Sequence, residues 1–202
     1  MHDSDFEIIQ RVLAGEMRAY AELVDRHKDR AMTLAMRLLK NREDAEEALQ
    51  DAFVRVFKAL DRFEMKASFA TWFYRIVFNV CSSALGKRER AYDISIDEDN
   101  LEAALSTPPA GNPEIEFDSS EFQQLIHEEI ERMAPAYSAI LTLFFIQELG
   151  YEEIVDVTGL PLGTVKNRLF RARTMLRVAV MNRMSESVGA KDNGSIKQEI
   201  IQ

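Results

Sequence analysis

The sequence predicts an all-α protein of two small helical domains joined by an acidic flexible linker. Three observations lead there. Apolar residues recur at helical spacing through most of the 202 residues, and no sustained period-two run lies between hairpin turns. Residues 91–117 interrupt the pattern, carrying Pro108, Pro109, Gly111 and Pro113, seven acids and no base. Their few apolar side chains are too sparse to bury a core, which makes this stretch the boundary between domains. The expected division is a first domain at 1–90, the linker at 91–117, a second domain at 118–184 and a mobile tail at 185–202.

Each helix has its own pattern. Ala31, Leu34, Ala35, Leu38 and Leu39 form one apolar stripe. Ala45, Ala48, Leu49, Ala52, Phe53, Val56, Phe57 and Leu60 form the next, with Asp44, Glu46 and Glu47 at the end where the helix dipole favours acid. Trp72, Phe73, Ile76, Val77 and Val80 make a third stripe that closes near Gly86. Ala139 to Ile146 is the most apolar run, ended by Gln147 and Glu148 and far shorter than the ~20 residues that span a bilayer. It reads as buried helix, and no direct membrane insertion is expected. Ser185 to Gln202 is polar with Gly189 and Gly194, and reads as a tail that Ile196, Ile200 and Ile201 can dock.

The formal charge of -9, taken alone, argues against a protein that coats nucleic acid nonspecifically. Its distribution says more. Residues 1–90 sum to +1, 91–161 to -15 and 162–202 to +5. Leu162 to Met184 holds Lys166, Arg168, Arg171, Arg173, Arg177 and Arg183 with no acid, a density suited to phosphate contacts and also to a merely solvated face. Asp3, Asp5 and Glu7 stand where an export signal needs positive charge, so none is expected. A single Cys81 with only His2, His27 and His127 excludes an internal disulfide framework and any zinc-spaced cluster; no metal or cofactor is expected, and a reducing compartment fits.

Residues 151–169 have the grammar of a helix-turn-helix. Gly159 can take the left-handed conformation at the turn, while Ile154, Leu160, Val165 and Leu169 can share a core. Val155 stands where a small residue is usual, implying a slightly wider helix crossing. Thr164 falls in the first turn of the second helix, whose polar face presents Lys166, Asn167, Phe170, Arg171 and Arg173. Arg and Lys pair with guanine edges in a major groove, Asn with adenine, and Phe can touch a thymine methyl. The plainer alternative is two packed helices with surface charge. In the first domain, a loop from Glu64 to Ser68 leads into the aromatic run around Trp72, most of which reads as core. Lys66, Arg75, Lys87, Arg88 and Arg90 nonetheless surround it, as basic residues surround the aromatics that hold single-stranded bases.

The chain resembles an extracytoplasmic-function (group 4) sigma factor of the bacterial sigma-70 family over roughly residues 6 to 182. The resemblance is carried by Gly15–Val24, Asp44–Phe53, Phe69–Asn79 and Gly163–Arg173, in that order. It implies that the first domain is sigma region 2 and the second is sigma region 4. It further implies that Asp44, Glu47, Gln50 and Asp51 bind the β′ clamp helices of core RNA polymerase, with region 4 on the β flap. Phe63, Lys66 and Ser68 in the loop, with Asn79, would capture melted minus-10 DNA. Thr164, Lys166, Asn167, Arg168, Phe170, Arg171 and Arg173 would lie at the minus-35 element. The loop positions of Glu64 and Lys66 vary among such factors, and the acidic linker would thread the polymerase cleft and RNA exit channel. Promoter DNA and an anti-sigma factor are the remaining implied partners, and the cytoplasm the implied location.

Two other classes fit less well. A dimeric operator-binding regulator would share the helix-turn-helix but has no use for the Asp44–Phe53 and Phe69–Asn79 signatures. An enzyme would need a convergent site, and three scattered histidines with Cys81 on an apolar helix form none.

Overall fold

The computed structural model describes residues 3–88 and 119–199, with side chains described over 5–86 and 122–185. The acidic linker at 91–117, Lys87, Arg88 and Arg90 as side chains, and the docking of Ile196, Ile200 and Ile201 lie outside the described residues. Among the described residues there are helices and no strand. They run α1 (Asp3–Leu13), α2 (Met17–Leu39), α3 (Arg42–Ala59), a 3₁₀ turn (Leu60–Arg62), α4 (Phe69–Arg88), α5 (Ser119–Arg132), α6 (Pro135–Leu141), a π turn (Thr142–Ile146), α7 (Tyr151–Thr158) and α8 (Leu162–Glu199).

Two compact units can be distinguished, one formed by 1–94 with 134–169, the other by 95–133 with 170–202. In the first, α1, α3 and α4 pack around α2. Small residues permit close approach: Ala31 and Ala35 of α2 and Ala45 and Ala52 of α3 have no solvent exposure. Leu23, Leu34, Leu38, Val56, Phe73 and Val77 fill the space between them. The junction of α2 and α3 is made by two caps. Lys40 adopts a left-handed conformation (φ 54°) and returns its N–H to Met36 O, and the Asn41 side chain accepts the Asp44 N–H at 3.1 Å. The same unit includes α6 and the π turn on α2, and α7 on α4. Ser138 Oγ donates to Arg37 O at 3.3 Å and Gln147 Nε2 to Arg30 O at 2.9 Å.

In the second unit, Arg183 of α8 pairs with Glu128 (3.0 Å) and Glu129 (3.4 Å) of α5, and Arg132 also bonds Glu129. Glu129 is 7% exposed, so these partners offset the cost of burying its charge.

Several expectations shift on contact with the structure. The third stripe is rotated: Phe69, Phe73, Tyr74, Val77, Val80 and Cys81 are buried, whereas Trp72 and Ile76 are half-buried. The apolar run Ala139–Ile146 is buried only as far as Leu143; the π turn then swings Phe145 out to 53% exposure. The stretch from Ser185, read as a tail, continues α8 in helix through Glu199. Extending an existing helix fixes one residue per hydrogen bond gained, so polar residues and two glycines do not end it.

Helix α1 is tied to α2 by charge. Asp5 accepts from Arg26 Nη1 at 2.6 Å and lies 3.0 Å from His27 Nε2, while Arg11 bridges Glu16 and Glu22. Partial burial pushes the Asp5 carboxyl up, but the bonds to His27 and Arg26 outweigh it and hold it below the ordinary carboxylate value. A lowered folded value means the stabilisation is full above the unfolded value and disappears as pH falls through the folded one. Asp5→Asn is therefore expected to cost about 1 to 2 kcal/mol at neutral pH in urea unfolding and almost nothing near pH 2.

Candidate nucleic-acid interface

The loop between the 3₁₀ turn and α4 shapes the first candidate surface. Met65, in the loop between Phe63 and Ser68, holds φ 57°, a left-handed conformation uncommon for a side chain with a Cβ. Ser68 then caps α4, its Oγ accepting the Thr71 N–H at 3.1 Å. Phe63 lies 5.0 Å from Trp72, ring centre to centre, tilted 34°. Between loop and helix opens a cavity of about 320 Å³ lined by Arg62, Phe63, Glu64, Met65, Lys66, Ala67, Thr71, Trp72, Arg75 and Asp156. Its size falls in the range of small-molecule sites, roughly 300 to 1,000 Å³. Aromatic faces beside guanidinium and ammonium groups suit an unstacked base and its phosphate. Glu64 is paired with Lys66, which reduces its repulsion of such a ligand.

Of the four loop and helix residues singled out from sequence, Phe63 and Lys66 line this cavity. Ser68 is committed to the α4 cap, and Asn79 is exposed four residues beyond Arg75, about 6 Å farther along the helix axis. Trp72, Arg62 and Arg75 join the cavity lining. Their helical or loop neighbours hinted at Trp72 and Arg75; nothing local pointed to Asp156.

A second surface runs along α3. Asp44 is half-buried, and Glu47, Gln50 and Asp51 are exposed. Asp44, Glu47 and Asp51 line a groove with Leu39, Arg55, Val80 and Leu85, and Asp51 is bound by Arg55 at 2.8 Å. Farther along the helix, Val54 and Phe57 are 50% and 43% exposed. An acidic face of this kind is disfavoured for contact with the phosphate backbone of DNA.

The helix-turn-helix forms as α7, a turn and the start of α8. Gly159 holds φ 71° and donates its N–H to Val155 O at 2.8 Å, so an L side chain here would be strained. Ile154, Val157, Val165 and Leu169 are buried, Leu160 and Val155 half-buried. Lys166 and Asn167 are exposed, with Lys166 Nζ 5.9 Å above the Tyr151 ring. Phe170 is 63% exposed and Arg173 is also exposed; Thr164 and Arg171 are half-buried. Arg168, expected with them at the minus-35 element, lies on a different face. It is 8% exposed, because it follows Val165 by three residues and precedes Leu169 and Ala172 on the buried face of α8.

Family models described as Sigma-70 region 2 and Sigma-70, region 4 match residues 23–91 and 123–176. Over 174 residues the chain is 32% identical to the ECF RNA polymerase sigma-E factor of Escherichia coli (strain K12), covering 84% of this chain and 91% of that one. The chain belongs to the sigma-70 family, as an ECF sigma factor. It is also 31% identical over 173 residues to the ECF RNA polymerase sigma factor SigW of Bacillus subtilis (strain 168), covering 84% and 92% of the two chains. Its fold resembles CnrH in complex with the cytosolic domain of CnrY, with TM-score 0.56, 23% identity and 84% and 92% of the chains covered. It likewise resembles the sigma factor RpoE in complex with the anti-sigma factor NepR from Bartonella quintana, with TM-score 0.55, 20% identity and 80% and 96% covered.

An ECF sigma factor directs RNA polymerase to initiate transcription and supplies no catalysis to the reaction. Among the described residues no group of three or more His, Cys, Asp or Glu is placed to hold a metal, and no helix is long and apolar enough to cross a membrane. In this sigma factor Cys81 is fully buried, and burial pushes its thiol up to about 12, leaving almost no thiolate at neutral pH. Its reaction with Ellman's reagent at pH 8 is expected to be absent in the native protein and to appear only on unfolding in guanidinium.

Proposed function

We propose that this sigma factor recognises its promoter at two elements and holds core polymerase by the acidic face of α3. The carrying observation is the open aromatic and basic cavity between the 63–68 loop and α4, which matches the chemistry of a flipped base. Phe63 and Trp72 would stack on the base, Lys66, Arg62 and Arg75 would hold its backbone, and Asn79 would meet the neighbouring strand as the duplex melts. Lys166, Asn167, Phe170, Arg171 and Arg173 would read the minus-35 major groove. Asp44, Glu47, Gln50 and Asp51 would engage the β′ clamp helices, with region 4 on the β flap.

The factor itself would have no enzymatic activity, work in the cytoplasm and melt DNA by binding energy alone. An anti-sigma factor is a further proposed partner, supported by structural neighbours that were solved with CnrY and with NepR.

Run-off transcription with purified core polymerase is the deciding experiment. The chain should confer promoter-dependent initiation on core enzyme that otherwise lacks it. Specific DNA binding by the chain alone, with no initiation and no binding to core, would instead identify a free-standing regulator. Asn167→Ala is expected to weaken minus-35 recognition by about 1 to 3 kcal/mol and relax preference at one base pair, read by competition binding of holoenzyme. Asn79→Ala should leave closed-complex formation intact and reduce permanganate reactivity of the minus-10 thymines; full reactivity would remove Asn79 from the melting step.

A further inference from the structure

Three aromatic side chains and one lysine form a row at the helix-turn-helix. Phe145 meets Phe144 edge-on at 5.0 Å, Phe144 stacks on Tyr151 at 5.5 Å with the rings 24° apart, and Lys166 Nζ stands 5.9 Å over the Tyr151 ring. The backbone sets up the row. In the π turn the Gln147 N–H returns to Thr142 O at 3.0 Å and the Leu149 N–H to Leu143 O at 3.1 Å, and Glu148 takes a left-handed φ of 58°. This tight connection leaves Leu143 buried while Phe144, one residue on, reaches Tyr151. The first turn of α7 is fixed as well. Glu153 accepts the Gly150 N–H at 2.9 Å with Oε2 and the Thr71 hydroxyl at 2.7 Å with Oε1.

Burial does not account for the row. Tyr151 is 38% exposed and Phe145 53%, whereas Ile154 and Val157 form the buried face of α7. What the Tyr151 ring holds is a cation, the exposed Lys166. An ammonium within about 6 Å of an aromatic centroid is attracted by the quadrupole of the ring. The attraction is to the ring face as a whole, so the three N–H donors of Lys166 stay available to a base edge or a phosphate. A side chain held in place before binding also loses less entropy when it binds.

We propose that Tyr151, backed by Phe144, is a positioning residue for promoter specificity: its ring face holds the Lys166 ammonium where it meets one base pair of the minus-35 element. The proposal rests on reading Lys166 as a minus-35 contact. Lysine is a point charge on a flexible stem, whereas arginine carries a rigid fork. A lysine therefore gains most from a neighbouring surface that fixes its direction, and Tyr151 supplies that surface without competing for its protons.

The test uses holoenzyme reconstituted from core polymerase and the full-length chain. It is offered a promoter library randomised at the minus-35 and minus-10 elements, and the bound fraction is sequenced. Lys166→Met should relax preference at one minus-35 base pair. Tyr151→Leu should relax preference at that same pair by about two- to fivefold, the worth of an exposed cation–π contact, and leave the other pairs unchanged. Tyr151→Phe keeps the ring face and should select the same sequences as the parent chain. In the Lys166→Met background, Tyr151→Leu should add nothing. Loss of preference at every pair alike, or no change at the Lys166 pair, would overturn the positioning role and leave the minus-35 reading intact. A further loss in the Lys166→Met background would overturn it too, by making Tyr151 a DNA contact in its own right. If Lys166→Met relaxes no pair, the minus-35 reading of Lys166 fails and this proposal with it.

Discussion

The packing of Phe73 orders the first unit. Its ring has no solvent exposure and is ringed by Phe53 of α3 at 4.9 Å, His27 of α2 at 5.8 Å, and Phe69 and Tyr74 of its own helix at 6.0 and 5.7 Å. Truncating such a ring typically costs about 3 to 5 kcal/mol, and each aromatic pair adds roughly 0.5 to 1.5 kcal/mol beyond burial. More important is what this cluster does to orientation. With Phe73 turned inward, the residue before it, Trp72, is held at the edge of the core, and Arg75 and Asn79 face solvent. The cavity attributed to minus-10 recognition follows from that one rotation of α4. His27 also links the cluster to Asp5, so α1 stabilises the same arrangement from outside.

Charge acts at a different level. The fold of the first unit rests on apolar and small residues, while its charged side chains lie mostly at the surface, many of them in ion pairs. An acidic stripe runs on α3 beside exposed Val54 and Phe57, and basic side chains gather around the loop and on α8. A net charge of -9 describes none of these surfaces. On the proposed reading, an acidic face on α3 would disfavour the phosphate backbone there and leave DNA to the basic sites.

Much of this was legible in one dimension. Ala45, Ala48, Leu49, Ala52, Val56 and Leu60 of the α3 stripe, the Gly159 turn and the buried Ile154, Val165 and Leu169 appear where helical spacing and turn chemistry put them, whereas Phe53 is half-buried and Phe57 exposed. The reading shifts where packing or a cap, rather than residue type, sets a side chain's surroundings. Arg168 reads as one more base on a basic helix, yet shares the packed face with Val165, Leu169 and Ala172. Ser68 reads as a loop residue available to DNA, yet its hydroxyl caps α4. Trp72 and Ile76 read as core, but the arc that Phe73 buries is turned away from them.

By itself the sequence determined the all-α class, the helix-turn-helix, the uneven distribution of charge and the family, since all four are written in local spacing and composition. Only the tertiary structure decided that residues 134–169 pack with the first helices, and that Asp156 lines a cavity made by Arg62, Phe63 and Trp72. Thr71 and Glu153 are 82 positions apart. No periodicity links residues so far apart: their bond exists because α4 and α7 bury complementary faces, and burial is what makes one hydroxyl and one carboxylate choose each other over water.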